Sequence, residues 1–132
     1  MKLLTRNTDY AVRAICYLAG HDKEVVAVPE LVKALKIPKP FLRKILQVLN
    51  KEGVIRSQKG IGGGFLLAKP AGKIFLVDLI RIFQGPIKLN ECILQKKICP
   101  NIRACPLKKK IASIEQHVTK ELNAITIGSL LR

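Results

Sequence analysis

The sequence predicts a mainly α-helical fold with one small β-hairpin. Three observations predict it. Apolar residues recur at helical spacing over three short segments between residues 8 and 50. Two short extended runs separated by a glycine-rich turn follow, between residues 54 and 68. The helical period then returns over residues 106–124. Three short helices followed by a hairpin is the order of a winged helix-turn-helix, and the late helix lies outside that unit.

The first helix spans Thr8 to Ala19, because Ala11, Ala14, Ile15 and Leu18 fall at i, i+3, i+4 and i+7. Asn7 or Thr8 can cap it. Residues 20–27 (GHDKEVVA) form a polar turn running into a short extended piece. Pro29 opens the second helix, Pro29 to Leu35, at the position where a missing N–H is harmless. Ile37-Pro38-Lys39-Pro40 is a turn, since each proline disfavours helix in the residue before it. The third helix runs from about Pro40 to Asn50, with Phe41, Leu42, Ile45, Leu46 and Leu49 as its apolar face and Gly53 as its stop.

Val54 to Gln58 reads as a strand and Phe65 to Ala68 as its return, joined by Lys59-Gly60-Ile61-Gly62-Gly63-Gly64. A fourth helix, Val77 to Gln84, stops at Gly85-Pro86. Residues 86–104 show no clear period. From Pro106 to Ala124, Leu107, Ile111, Ile114, Val118, Leu122 and Ile125 recur at spacings of three and four. Thr126 can cap a last short helix, Ile127 to Leu131.

The 132 residues suffice for one compact domain, or one small domain plus an attached helix. Hydrophobic residues are 48% of the chain, which excludes a disordered tail, while aromatics are only 5%, so the core must be aliphatic. Lys and Arg number 24 against 9 Asp and Glu, a net charge of +15. Such a field points to a polyanion, nucleic acid first and an anionic membrane surface second. The charge is spread along the chain, so it belongs to folded surface. No run of 18 apolar residues and no apolar leader occurs, so the expected compartment is the cytoplasm, with reduced thiols. No Ser/His/Asp constellation, paired carboxylates or nucleotide loop is visible, so an enzyme is not expected.

The third helix carries Lys39, Arg43 and Lys44 on or near its first turns, off its apolar face. A recognition helix needs that division: one face packs on its neighbours while the first turns reach base edges and phosphates. A solvated charged face is the plainer alternative for this helix taken alone. The hairpin shifts the balance. Lys59 precedes glycines whose backbone can approach another surface closely, and Gly60 and Gly62 are candidates for that approach.

Three of the four cysteines, Cys92, Cys99 and Cys105, fall within fourteen residues. In a reducing compartment that clustering favours metal or thiol chemistry over structural disulfides. The gaps of six and five residues are longer than the close ligand pairs of zinc sites. Three thiolates on one loop suit a face of an iron–sulfur cluster with a fourth ligand from elsewhere. Lys96, Lys97, Arg103 and Lys108 would favour thiolates there. A thiol–disulfide switch and buried free cysteines remain alternatives. Cys16 lies within the first amphipathic helix and reads as a small core residue. Asp9, with Arg13 one turn on, is either an ordinary ion pair or the missing ligand, reached across a dimer.

Taken together, Thr8-Asp9-Tyr10-Ala11-Val12-Arg13-Ala14, the wing Gly60-Ile61-Gly62-Gly63-Gly64-Phe65-Leu66-Leu67, the three cysteines and Ile125-Thr126-Ile127-Gly128 resemble the small bacterial winged-helix regulators of the Rrf-two type. The resemblance runs over residues 1 to about 131. That family includes an iron–sulfur cluster assembly regulator, a nitric-oxide-sensing repressor and a cysteine-metabolism repressor. It implies a winged helix-turn-helix DNA-binding domain over 1–85, a cysteine cluster-binding loop over 86–105, and a dimerisation helix with a short C-terminal helix over 106–132. The implied partners are a second copy of the chain and pseudo-palindromic promoter DNA, with no membrane. Lys39, Pro40, Arg43 and Lys44 match the recognition positions nearest the bases, and Lys59 matches a wing position that enters the minor groove. Lys108 stands where the cluster assembly regulator has its histidine ligand, whereas Asp9 matches the aspartate that the nitric-oxide sensor supplies across the dimer. Arg43 stands where the cluster assembly regulator is acidic. The expectation is a repressor controlled by an iron–sulfur cluster, [4Fe–4S] rather than [2Fe–2S], on Cys92, Cys99, Cys105 and Asp9. A cluster-free thiol switch is the alternative within the family, and a small iron–sulfur electron carrier the alternative outside it.

Overall fold

The computed structural model describes residues 3–21, 24–88 and 105–131. Its elements are helix α1 (Arg6–Gly20), α2 (Val28–Leu35), α3 (Lys39–Lys51), strands β1 (Ile55–Gln58) and β2 (Gly64–Leu67), then α4 (Leu76–Gln84), α5 (Pro106–Asn123) and α6 (Ile127–Leu130). A single 3₁₀ turn at Ala71–Lys73, which the sequence pattern did not suggest, links β2 to α4.

α1 begins earlier than expected. Thr5 is its cap and accepts from the Thr8 N–H, so neither Asn7 nor Thr8 holds that role. The reason lies at the far end of α4. Thr8 Oγ1 donates to Gln84 Oε1 at 2.6 Å, and the Thr5 N–H donates to the same oxygen at 2.8 Å. Gln84 Nε2 donates in turn to the Leu3 carbonyl at 3.0 Å. Thr8 is the one fully buried polar side chain among the described residues, and this bond satisfies it.

The buried face of α1 (Ala11, Ala14, Ile15, Leu18) packs on Leu31 of α2 and on Leu42, Ile45, Leu46 and Leu49 of α3. Ile74, Leu79 and Ile127 close the same aliphatic core from the C-terminal side. Outside it, the Tyr17 hydroxyl donates to Glu30 at 2.8 Å and ties α1 to α2. That bond pushes the Tyr17 phenol up from its ordinary range.

The α2–α3 turn is three residues long. Lys36 sits in the left-handed region at φ 56°, reversing the chain after α2, and Pro38 caps α3. α3 therefore starts at Lys39, one residue before the expected Pro40. Phe41 departs from expectation more sharply. It is 40% exposed, and instead of joining the core it lies under Arg6, whose guanidinium carbon is 4.8 Å from the ring centroid.

β1 and β2 pair antiparallel, with Ile55 opposite Leu67 and Gln58 opposite Gly64. Val26 adds an isolated bridge to Phe65, with both backbone bonds at 2.9 Å, which realises the expected extended piece before α2. Gly64 permits that bridge, because a Cβ there would run into the Val26 carbonyl. Further along the chain, Phe75 bridges Thr126, and Thr126 caps α6 in a reciprocal pair with Ser129. α5 follows the expected apolar stripe, yet of its residues only Leu122 is buried, against Leu76 and Ile80 of α4.

Candidate nucleic-acid interface and metal site

Four buried leucines and isoleucines turn one side of α3 inward, and this fixes what its other side presents. Lys39, Pro40, Arg43 and Lys44 are all exposed, in the first two turns. α3 is thirteen residues long, and its exposed side is free to enter a groove that admits a helix.

The hairpin stands beside it. Lys59 and Gly60 through Gly62 form an exposed tip. Gly60 and Gly62 have φ of 100° and 76°, where an L side chain is strained, so glycine at both is required by the turn itself. Gly63 is excluded from bearing a side chain for a different reason: a Cβ would strike the Gln58 carbonyl. The loop is thus an ordered turn held by a Gly63 N–H to Gly60 carbonyl bond at 3.0 Å.

Arg6 is a residue that sequence pattern missed. With Asn7, Phe41, Lys44, Val48 and Phe83 it lines a hollow of about 400 Å³ beside α3. Two cations, Arg6 and Lys44, stand over an apolar floor there. A basic residue just ahead of an amphipathic helix carries no signal of its own. Only the fold shows that α1 starts beside α3.

The metal-site residues are less fully placed. Cys92 and Cys99 lie outside the described residues, as do Lys96, Lys97 and Arg103. Cys105 is a half-buried free thiol at the cap position of α5, with Pro106 after it, and its side chain makes no capping bond. Asp9 is on the first turns of α1 and pairs with Arg13 at 3.1 Å, both partly exposed, which is the plain i,i+4 ion pair. Among the described residues no three His, Cys, Asp or Glu side chains come together. The donor chemistry itself, three thiols and a carboxylate, fits an iron–sulfur cluster. Cys16 is half-buried against the core, as expected, and burial pushes its thiol up. Among the described residues no helix is long and apolar enough to cross a membrane.

Comparison with known proteins agrees with this geometry. The chain is 36% identical over 124 residues to a candidate HTH-type transcriptional regulator of Aquifex aeolicus, covering 92% of this chain and 86% of that one. It is 31% identical over 130 residues to protein aau3 of Rhizobium meliloti, covering 98% and 84%. Among solved structures, CymR (YrzC), the global cysteine regulator of B. subtilis, superposes with a TM-score of 0.82 at 20% identity, covering 98% and 96% of the two chains. T. potens IscR superposes with a TM-score of 0.76 at 23% identity, covering 98% and 85%. At those identities the two structures speak for the fold alone. The model of the Rrf2 family, described as an iron-dependent transcriptional regulator, matches residues 4–132. With a winged helix-turn-helix in place and a family match along nearly its whole length, the chain belongs to the Rrf2 family of transcriptional regulators.

Proposed function

We propose that this chain is a homodimeric repressor whose hold on promoter DNA is controlled by an iron–sulfur cluster. One observation carries the DNA half of the reading. Lys39, Arg43 and Lys44 on α3 and Lys59 on the hairpin are exposed on two neighbouring basic projections of a +15 chain. Pro40 lies in the first turn of the helix, close to the bases, and Gly60 and Gly62 let the hairpin backbone approach the duplex. Arg6 adds a phosphate contact beside Lys44. Affinity should then fall about 10³-fold or more between 50 and 200 mM salt if six or more phosphates are neutralised.

Support for the dimer comes from α5. Leu107 and Ile114 are 66% and 52% exposed on the same stripe whose far end buries Leu122. A second copy of the helix would cover them and set two recognition helices about 34 Å apart. Cys92, Cys99 and Cys105, with Asp9 of the partner subunit, would hold the cluster, [4Fe–4S] rather than [2Fe–2S]. When bound, such a cluster supplies a group that nitric oxide, oxygen or iron shortage alters or removes. The protein's own part is mechanical. Cys105 stands at the N-terminal cap position of α5 and Asp9 in the first turn of α1, so joining them would tie the dimer helix of one protomer to the DNA-reading body of the other. A coupling of ~2–3 kcal/mol would change operator occupancy ~30–150-fold. The setting is the cytoplasm, where the thiols stay reduced.

A second reading is a cluster-free thiol switch. It is favoured by the likeness to CymR, a cysteine regulator that has also been solved in an oxidized form in Staphylococcus aureus. Anaerobic purification followed by absorption and Mössbauer spectra separates the two. The proposal expects a brown protein whose spectrum changes in Asp9→Ala and whose operator affinity drops when the cluster is removed. A colourless protein with titratable thiols, binding the operator equally well throughout, would overturn it.

A further inference from the structure

Of the five residues from Gly60 to Gly64, Ile61 alone has a side chain, and that side chain is covered by none of the described residues. Its relative exposure is 110%, the largest of any apolar residue described. Isolated apolar residues on a surface are ordinary. This one is different in its setting. It is held out by a turn whose neighbours, Gly60 and Gly62, are locked at positive φ, so the turn cannot fold the side chain back by a small adjustment. A polar residue at this tip would cost the fold nothing, because Ile61 contributes no burial. The tip is also basic, with Lys59 before it and exposed Arg56 on β1.

From this geometry we infer that Ile61 is an apolar wedge for the minor groove of duplex DNA, entering between two base pairs and partly unstacking them. The inference rests on the DNA-binding reading above. With α3 in the major groove, the neighbouring hairpin faces the adjoining minor groove, which is only about 6 Å wide. A tip stripped of side chains by glycine fits that width, and the one side chain left is of the kind that architectural proteins insert at a base step. Insertion is easiest at flexible pyrimidine–purine steps, TA or CA/TG. Ile61 is therefore a specificity-determining residue: it selects operators carrying such a step where the tip lands, with no hydrogen bond to any base.

The test uses the full-length protein and a duplex of about 30 base pairs enriched from a randomised pool by the wild-type chain. 2-Aminopurine is substituted in turn at each adenine of that duplex. Wild-type protein should raise its fluorescence at one pyrimidine–purine step per half-site. Ile61→Ala should abolish the rise and weaken binding about fiftyfold, since it removes three carbons of buried contact. Ile61→Leu should restore both. The fold does not depend on this side chain, so both variants should unfold at the wild-type denaturant midpoint. Unchanged fluorescence and affinity in Ile61→Ala, with the wild type still binding its duplex, would overturn the wedge and leave the regulator reading standing. Failure of the wild type to enrich any duplex would overturn both.

Discussion

α3 and α5 are both amphipathic helices written in the same alphabet, and they end in different states. α3 buries Leu42, Ile45, Leu46 and Leu49 out of thirteen residues. α5 is longer, at eighteen residues, and buries Leu122 alone. The difference is one of supply. Around α3, helices α1 and α2 and strand β1 each bring an apolar face, and the hollows interlock. Around α5, the described chain offers Leu76 and Ile80 of α4, with Val12 of α1 and Ile87 partly buried beside them. An amphipathic pattern states how much apolar surface a helix carries. It does not state whether that surface is covered from within the chain.

The largest expected effect breaks this comparison directly. Leu46→Ala should cost ~2–5 kcal/mol of protomer stability, because the neighbours of a fully buried leucine cannot close the cavity. Ile114→Ala should change the unfolding of the dilute protomer by less than about 0.5 kcal/mol, as expected of a surface site. Its effect should appear in assembly instead, as a dimer dissociation constant raised about tenfold, since truncating a central interface residue costs more than about 1 kcal/mol. Urea unfolding at low concentration and sedimentation equilibrium measure the two quantities. Equal destabilisation of the protomer by both substitutions would mean that α5 is covered from within its own chain.

A smaller effect sharpens the picture of the well-packed side, at the join of α1 and α4. Gln84 is the last residue of α4 and clamps the start of α1 through Thr5, Thr8 and the Leu3 carbonyl. Gln84→Ala leaves the buried Thr8 hydroxyl without that partner, so it should cost about 1–3 kcal/mol. The loss should be local as well as global: amide exchange over Leu3 to Tyr10 should quicken more than exchange in α3. A uniform change across the body would show that the clamp does not hold α1 in particular.

These contrasts also explain what was legible in the sequence. Helical spacing found α1 to α5 within one or two residues, because burial on one face is what creates the period. Glycine at 60 and 62 announced the turn for a steric reason that survives any context. The cap of α1 was misplaced because Thr5 and Thr8 are settled by Gln84, 76 residues beyond Thr8, and no local pattern encodes a bond of that range. Phe41 counts with the apolar face of α3 in the sequence, yet the cation of Arg6 takes its exposed ring. In the candidate site, each basic position on α3 and the wing proved to be exposed as the pattern required. Arg6 escaped notice because its place beside Phe41 and Lys44 exists only after the chain has folded.

The smallest effect concerns the cysteine that stands apart from the cluster. Cys16 lies half-buried on α1 against the core, and burial pushes its thiol up. A thiol is unreactive until ionised, so at pH 8 iodoacetamide should modify Cys16 more slowly in the folded protein than in urea, and the folded rate should keep rising past the ordinary thiol range. The linkage has a definite sign. The folded state holds the proton more tightly, so this contribution to stability is fully present below the ordinary thiol pKa and is lost as the pH climbs through the raised value. Replacing Cys16 by Ala should remove that alkaline dependence with little effect on the midpoint at pH 7, because the side chain is small and only partly enclosed. Mass spectrometry of the alkylated peptide reports the rate, and a folded rate equal to the unfolded one would mean that α1 opens readily, placing it with the sparsely covered α5 rather than with α3.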